Sequence, residues 1–253
     1  MFHKSILIAA GLSMAAGAAG AATEVAVDLS SWTAEGPGSW NRAADNNSVV
    51  QTLNDNPTVF HNGTESQGVA LSGTIEVQTT GDDDFVGFVL GYDAGDLTDP
   101  NADYLLIDWK QFDQGGFFGG VATQGLAISR VTGVLGNDSG AWLHDPANNV
   151  TEIARATTLG SLGWADNTEY DFDLVFTSSN VQVFVDDVLE LDISGSFANG
   201  GFGFYNYSQP SVRYAGLTTR DLPPPAPIIP LPAGLPLLLS ALGAAVWIRR
   251  RNG

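Results

Sequence analysis

The chain has 253 residues, 44% of them hydrophobic and 10% aromatic, which suits a single packed core of ordinary domain size. Four of its ten basic residues, Lys4 and Arg249 to Arg251, lie in end segments that hold no acid, so residues 23–222 set six basic against 28 acidic side chains, a balance of −22. Such a body repels phosphate backbones and anionic lipid, which argues against a nucleic-acid partner and makes divalent cations the natural counter-ions; the absence of cysteine removes disulfides, thiolate zinc sites and cysteine nucleophiles together.

In chain order the first element is a leader. Lys4 precedes an apolar run over residues 5–22 that closes on Ala19, Gly20 and Ala21, the composition of a secretory signal peptide over residues 1–22. Residues 48–53 are the one stretch with a helical pattern. Val69, Leu71, Gly73, Ile75 and Val77 then alternate with polar or small neighbours, and residues 85–92 and 104–109 are almost unbroken in apolar side chains, as strands covered on both faces are. The GGFFGG run at 115–120 reads as a flexible loop. Phe172, Leu174 and Phe176 alternate, as do Val181, Val183 and Val185, and Asp186 with Asp187 has the length of a tight hairpin leading into residues 188–193. Residues 201–207 and 212–218 predict another hairpin around Ser208, Gln209 and Pro210. About a dozen short strands with Gly- and Asp-rich turns predict an all-β fold, a jelly-roll β-sandwich over residues 23–221. Residues 222–229 form a Pro-rich linker. Residues 226–248 carry no charge and meet Arg249, Arg250 and Arg251, the pattern of a hydrophobic transmembrane helix whose basic end stays cytoplasmic.

Two resemblances rest on particular residues. Pro230, Leu231, Pro232 and Ala233, followed by the apolar helix and the arginine cluster, resemble the tripartite tails of the bacterial PEP-CTERM family in its VPLPA-like form, with Ile229 in place of the usual first valine. That resemblance implies a sorting signal over residues 230–253, a transient membrane anchor removed by an exosortase-type protease, and a destination outside a bacterial cell or on its surface. A permanent membrane anchor is the plainer alternative. Separately, residues 40–60, GDDDFVGFVLGY at 81–92, YLLIDWKQ at 104–111, GLAISRV at 125–131 and GGFGFYNYSQPSVRYAGL at 200–217 resemble the C-terminal domain of thrombospondins. The most specific pieces are Asp82, Asp83, Asp84 and Phe85 before Gly87, Phe88, Gly91 and Tyr92, and the run Trp109, Lys110, Gln111. The resemblance implies a concanavalin or L-type lectin-like sandwich and a calcium-binding, extracellular adhesion role. The family's calcium-binding repeats and cysteines are missing here and residues 93–103 read as an insertion, so the fold carries over while partner identity does not.

Calcium takes roughly six to eight oxygens and so needs several acids on one loop. Two places qualify. Asp82, Asp83 and Asp84 stand at a strand entrance, where alternation would let at most two share an ion, a solvated charged turn being the alternative. Asp93, Asp96, Asp99, Asn101 and Asp103 put five oxygen donors between two strong strands without EF-hand spacing, the alternative being an acidic loop with no ion. For catalysis, Glu190 and Asp192 begin the E-x-D-x-x-E strand of one glycosidase family but the second Glu is absent, which predicts both on a solvent face with Leu189, Leu191 and Ile193 inward. His61 and His144, the histidines outside the leader, accompany no G-x-S-x-G elbow and are expected at the surface. Trp109 is expected in the core, whereas Trp142 and Trp164, in Gly- and Asn-rich stretches, are expected as an exposed platform for a sugar. The sequence thus reads as an exported, non-enzymatic lectin-like adhesion or matrix protein with calcium as its one cofactor and extracellular polysaccharide or surface proteins as partners. The competing readings are a secreted glycan-active enzyme and a surface protein with no ligand.

Overall fold

Short runs of β-branched and aromatic residues broken by Gly and Asp turns become strands, because branched and ring side chains pack well on a pleated, half-buried surface. The structure is a computed structural model that describes residues 22–223. Its strands are β1 (Val25–Ala26), β2 (Thr33–Glu35), β3 (Trp40–Arg42), β4 (Val49–Gln51), β5 (Thr58–His61), β6 (Val69–Val77), β7 (Phe85–Tyr92), β8 (Tyr104–Lys110), β9 (Gln114–Phe117), β10 (Gly120–Ala122), β11 (Gly125–Val131), β12 (Val150–Arg155), β13 (Glu169–Phe176), β14 (Asn180–Val185), β15 (Val188–Ser194), β16 (Gly201–Tyr207) and β17 (Val212–Asp221). A single α-helix, α1 (Ser139–Leu143), is found among the described residues.

The strands pair antiparallel into two stacked sheets. One runs β15, β14, β13, β6, β17, β4, β3 with β1 added on β17; the other runs β12, β11, β8, β7, β16, β5, β2; β9 and β10 form a separate hairpin. Leu71 and Ile75 of β6 and Phe172, Leu174 and Phe176 of β13 meet Phe88, Leu90, Ile107, Phe202 and Phe204 between the sheets. The Tyr214 hydroxyl of β17 crosses that core to lie 3.0 Å from the Tyr205 carbonyl and 3.1 Å from the Gly87 carbonyl, tying the sheets together. A second apolar cluster, with Val89, Leu106, Val131, Trp142 and Tyr205 among its members, covers the back of the seven-stranded sheet. This sheet is therefore buried on both faces, and every residue of β7 and β8 is buried, as their unbroken apolar runs predict. The jelly-roll β-sandwich expected from the sequence is the fold observed.

Local departures have local causes. Residues 48–53 do not form a helix: β4 buries Val49 and Gln51 and leaves Val50 half-buried, a period of two in a segment too short to show it. Residues 201–207 and 212–218 are not a hairpin, since β16 pairs with β7 and β5 while β17 pairs with β6 and β4. The turn between them, with Ser208 and Ser211 at positive φ, instead carries the chain from one sheet to the other. Asp186 and Asp187 do close a tight hairpin, both at positive φ (48° and 64°), which matches the right-handed twist of the flanking strands. The GGFFGG run forms the tip of the β9–β10 hairpin. Among the described residues no helix is long and apolar enough to cross a membrane. The leader, the apolar stretch and the arginine cluster lie outside the described residues.

Candidate metal centre

Asp82, Asp83 and Asp84 end the connection that feeds β7. They precede the pleated strand, which starts at Phe85, so strict alternation does not apply to them and all three carboxylates converge: one oxygen from each lies within 4.8 Å of the others. The alternation expected to point their side chains apart therefore does not separate them. The backbone is pinned from several sides. Asp84 N–H donates to Gln209 Oε1 (2.9 Å), its carbonyl accepts from Trp164 Nε1 (3.1 Å), and the Asp83 carbonyl accepts from Gln111 N–H (3.2 Å) and Lys110 Nζ (3.1 Å). Lys110 is fully buried at the end of β8. Its ammonium donates to Asp84 Oδ1 at 2.7 Å and Gln114 Oε1 at 2.8 Å, stands 3.5 Å from Asp83, and sits 5.1 to 5.2 Å from the ring centres of Trp142 and Phe85.

One ammonium against three carboxylates leaves two negative charges uncompensated. The consequence appears at Asp82, whose carboxyl is pushed up to about 6, by burial first and then by the neighbouring Asp84 and Asp83 charges, although it accepts hydrogen bonds from Asp83 N–H and the Asn54 amide. A cluster of hard oxygens with excess negative charge is the chemistry that calcium selects.

The second acidic segment is arranged differently. Asp96 accepts from the Asp93 N–H (2.8 Å), Asp99 accepts from the Asn101 N–H (2.8 Å), and Asp103 holds Arg130 through two contacts of 2.6 Å. These side chains hold the turns of their own loop and one arginine. Among the described residues, Asp82 to Asp84 is the one grouping of three or more ligand-type acids or histidines whose ligand atoms all lie within 4.8 Å of one another, so Asp93, Asp96, Asp99, Asn101 and Asp103 are not brought together in the same way.

Neither tryptophan expected as an exposed platform is exposed. Trp164 is 3% accessible, its indole bonded to the Asp84 and Trp109 carbonyls, and Trp142 is 5% accessible in α1, packed edge-on against Phe85, Phe117 and Tyr207. Trp164 joins the core between the sheets, and Trp142 is carried by α1 onto the back of the seven-stranded sheet. Phe112, Phe117 and Phe118 are exposed aromatics among the described residues, and the last two, at the tip of the β9–β10 hairpin, line a cleft of about 350 Å³ that also reaches Asn54, Asp84 and Trp142. The signal for them was present in sequence, since glycine pairs on both sides of two aromatic residues favour a hairpin tip.

His61 is buried, and His144 is half-buried as a residue with its side chain only 8% exposed. His144, at the left-handed C-cap of α1, places Nε2 2.9 Å from Asp108 and Nδ1 2.9 Å from Glu152. Burial resists its charge, but Asp108 and then Glu152 outweigh burial and push the imidazole up to about 10, so it is a buried imidazolium within a charged triad. His61 packs on Tyr92 and faces Glu35 at 3.2 Å. Glu190, expected on a solvent face, is buried because it is the extra residue of a β-bulge where Val183 pairs with Leu191 and Phe184 with Leu189. Its carboxylate accepts from the backbone of Thr158 (2.8 Å) and Leu159 (3.1 Å) and from the Thr158 hydroxyl, while Leu189 turns out to solvent.

Residues 36–221 match the family model described as "Thrombospondin C-terminal region". The chain belongs to that family. Among its relatives are Thrombospondin-3 of Homo sapiens, 28% identical over 190 residues covering 68% of this chain and 19% of that one, and cartilage oligomeric matrix protein of Rattus norvegicus, 26% identical over 191 residues covering 68% and 24%. The chain thus spans about a fifth of the length of the curated relatives it matches. Its fold is similar to that of carbohydrate-binding module CBM66 from Bacillus subtilis (TM-score 0.52, 11% identity, 76% of this chain and 96% of that one). It is similar also to the exoplasmic/lumenal domain of VIP36 in a Ca2+/Man2-bound form (TM-score 0.51, 13% identity, 80% and 84%). A lectin-like sandwich is therefore the architecture of this thrombospondin C-terminal domain.

Proposed function

We propose that the protein is an exported, non-enzymatic, calcium-binding lectin-like module that works in adhesion or in an extracellular matrix, with polysaccharide or surface proteins as partners. The observation that carries this reading is the convergence of Asp82, Asp83 and Asp84, which supply a hard-oxygen site with two charges to spare. Two of the proteins it resembles support it: the VIP36 domain was solved in a Ca2+/Man2-bound form, and CBM66 is a carbohydrate-binding module. The main candidate for an acid catalyst speaks against the enzyme reading, because the Glu190 carboxylate is committed to capping residues 158 and 159.

The calcium would be held by Asp82 and Asp83 and by the Asp84 oxygen not bonded to Lys110. Bound there, the ion would fix the entrance to β7 and its connection to Asn54 and Gln209. The test is thermal unfolding of the full-length chain in calcium and in chelator. Calcium at a hundredfold excess over its Kd should add about 2.7 kcal/mol of stability, and magnesium, which dehydrates reluctantly, should do much less. An unfolding midpoint indifferent to both ions contradicts the reading.

The destination rests on the two ends of the sequence. The mature protein is proposed to begin near Ala22 or Thr23 and to end near the Pro-rich linker, after exosortase-type removal of the tail, outside a bacterial cell or on its surface. Intact mass of the protein from native cells decides it, since a chain still ending at Gly253 in the inner membrane would show a permanent anchor.

A further inference from the structure

Of the six basic side chains in the body, five are held by carboxylates: Lys110 by Asp84, Arg130 by Asp103, Arg155 by Glu152, Arg213 by Glu169 and Arg220 by Asp173. Arg42 alone, among the described residues, forms no ion pair, in a body that offers 28 acids. It projects from β3 at the rim of an open cleft of about 670 Å³ at one side of the sandwich, where β2 and β3, the edge strands of the two sheets, come together. Trp32 and Trp40, both half-buried, line this cleft above Phe60; their rings lie 5.6 and 5.5 Å from the Phe60 ring, and the Trp40 indole N–H donates to the Thr58 hydroxyl (3.0 Å). Ser30, Asn41 and Asn46 supply polar groups around the same opening.

An exposed, unpaired guanidinium beside two partly exposed indole rings offers one cationic and two aromatic contacts at a single opening, and the three features together define a ligand. Indole faces accept the C–H face of a pyranose ring, amides and hydroxyls accept its equatorial oxygens, and a planar guanidinium takes a carboxylate bidentately. We propose that this cleft binds a saccharide ring bearing a carboxylate, a hexuronate unit, with its ring on Trp32 and Trp40 and its carboxylate on Arg42. A peptide added as a strand fits less well, because β2 and β3 each offer an edge of only three residues. A polyphosphate fits less well too, since its several closely spaced charges would meet only one guanidinium. A single carboxylate is the anionic load that one arginine matches, and at physiological ionic strength acids more than about 8 Å away are largely screened. The nearby Asp28 holds its carboxylate on the Ser30 N–H at 2.8 Å.

The test is isothermal titration of the full-length chain in EDTA with tri-galacturonate, and with galactotriose as the neutral comparison. EDTA removes calcium from the acidic triplet, so failure of the calcium reading leaves this experiment standing. Tri-galacturonate should bind at least tenfold more tightly than the neutral trisaccharide. Arg42→Gln should weaken it at least tenfold without moving the unfolding midpoint, because the side chain is exposed and pairs with no carboxylate. No binding of tri-galacturonate overturns the proposal, as does equal binding by Arg42→Gln. So does binding abolished by Asp82→Asn instead, which would move the ligand to the acidic triplet, or tighter binding of a peptide carboxylate than of the uronate.

Discussion

Two acidic segments flank β7, and in sequence they look alike: Asp82 to Asp84 before it, and Asp93 to Asp103 after it. The structure separates them. The first group brings three carboxylates together around one buried ammonium and keeps an excess of negative charge, whereas the second distributes its acids over turn-capping bonds and an exposed pair with Arg130. Carboxylate density in sequence therefore says less than what the neighbouring strands place opposite it. β8 ends in Lys110 against the first segment, and β11 carries Arg130 against the second.

The largest effect expected from this contrast is at Lys110. Replacing it by Met leaves the Asp84 carboxylate, 4% exposed, without its cation, and should destabilise the chain by about 3–5 kcal/mol in urea unfolding. An effect below about 1 kcal/mol would show that the triplet tolerates its own charge without help. A smaller effect concerns protons. Because the Asp82 carboxyl is raised to about 6 from the 3.8 of an unfolded carboxyl, the calcium-free chain gains stability from this group as pH falls through 6 toward 3.8, while calcium, which needs the carboxylate, loses affinity over the same interval. The calcium-induced shift in unfolding midpoint should accordingly shrink on going from about pH 7.5 to about pH 5, and a constant shift would remove Asp82 from the site. The smallest effect is at Asp103. It and Arg130 are each roughly two-fifths exposed, so Asp103→Asn should cost no more than about 1 kcal/mol despite two short contacts.

Much of the fold was legible in the residues. The unbroken apolar runs of β7 and β8 announced a sheet covered on both faces, and Asp186 with Asp187 announced a hairpin, because both signals are local. What failed depended on distant partners. The two runs at 201–207 and 212–218 look like a hairpin until β7 and β6 claim them for different sheets. Glu190 reads as a solvent-facing residue until a one-residue bulge turns it inward onto residues 158 and 159. Trp109 lies in the core as expected, but the histidines, Trp142 and Trp164 fared worst, since whether His144 is exposed depends on Asp108 and Glu152 from two other strands, and whether Trp142 is exposed depends on what α1 covers. Of the site, the identity of Asp82 to Asp84 was legible, but the presence of Lys110 beside them and the convergence of all three were not.

The central claim, that the first acidic segment and not the second holds calcium, is tested most directly by calcium titration calorimetry on the full-length chain and two single variants, Asp83→Asn and Asp99→Asn. The account predicts a calcium heat for the native chain that Asp83→Asn weakens at least tenfold and Asp99→Asn leaves unchanged. Loss of the heat in Asp99→Asn with an unaltered titration in Asp83→Asn would contradict it and move the ion to the loop between β7 and β8.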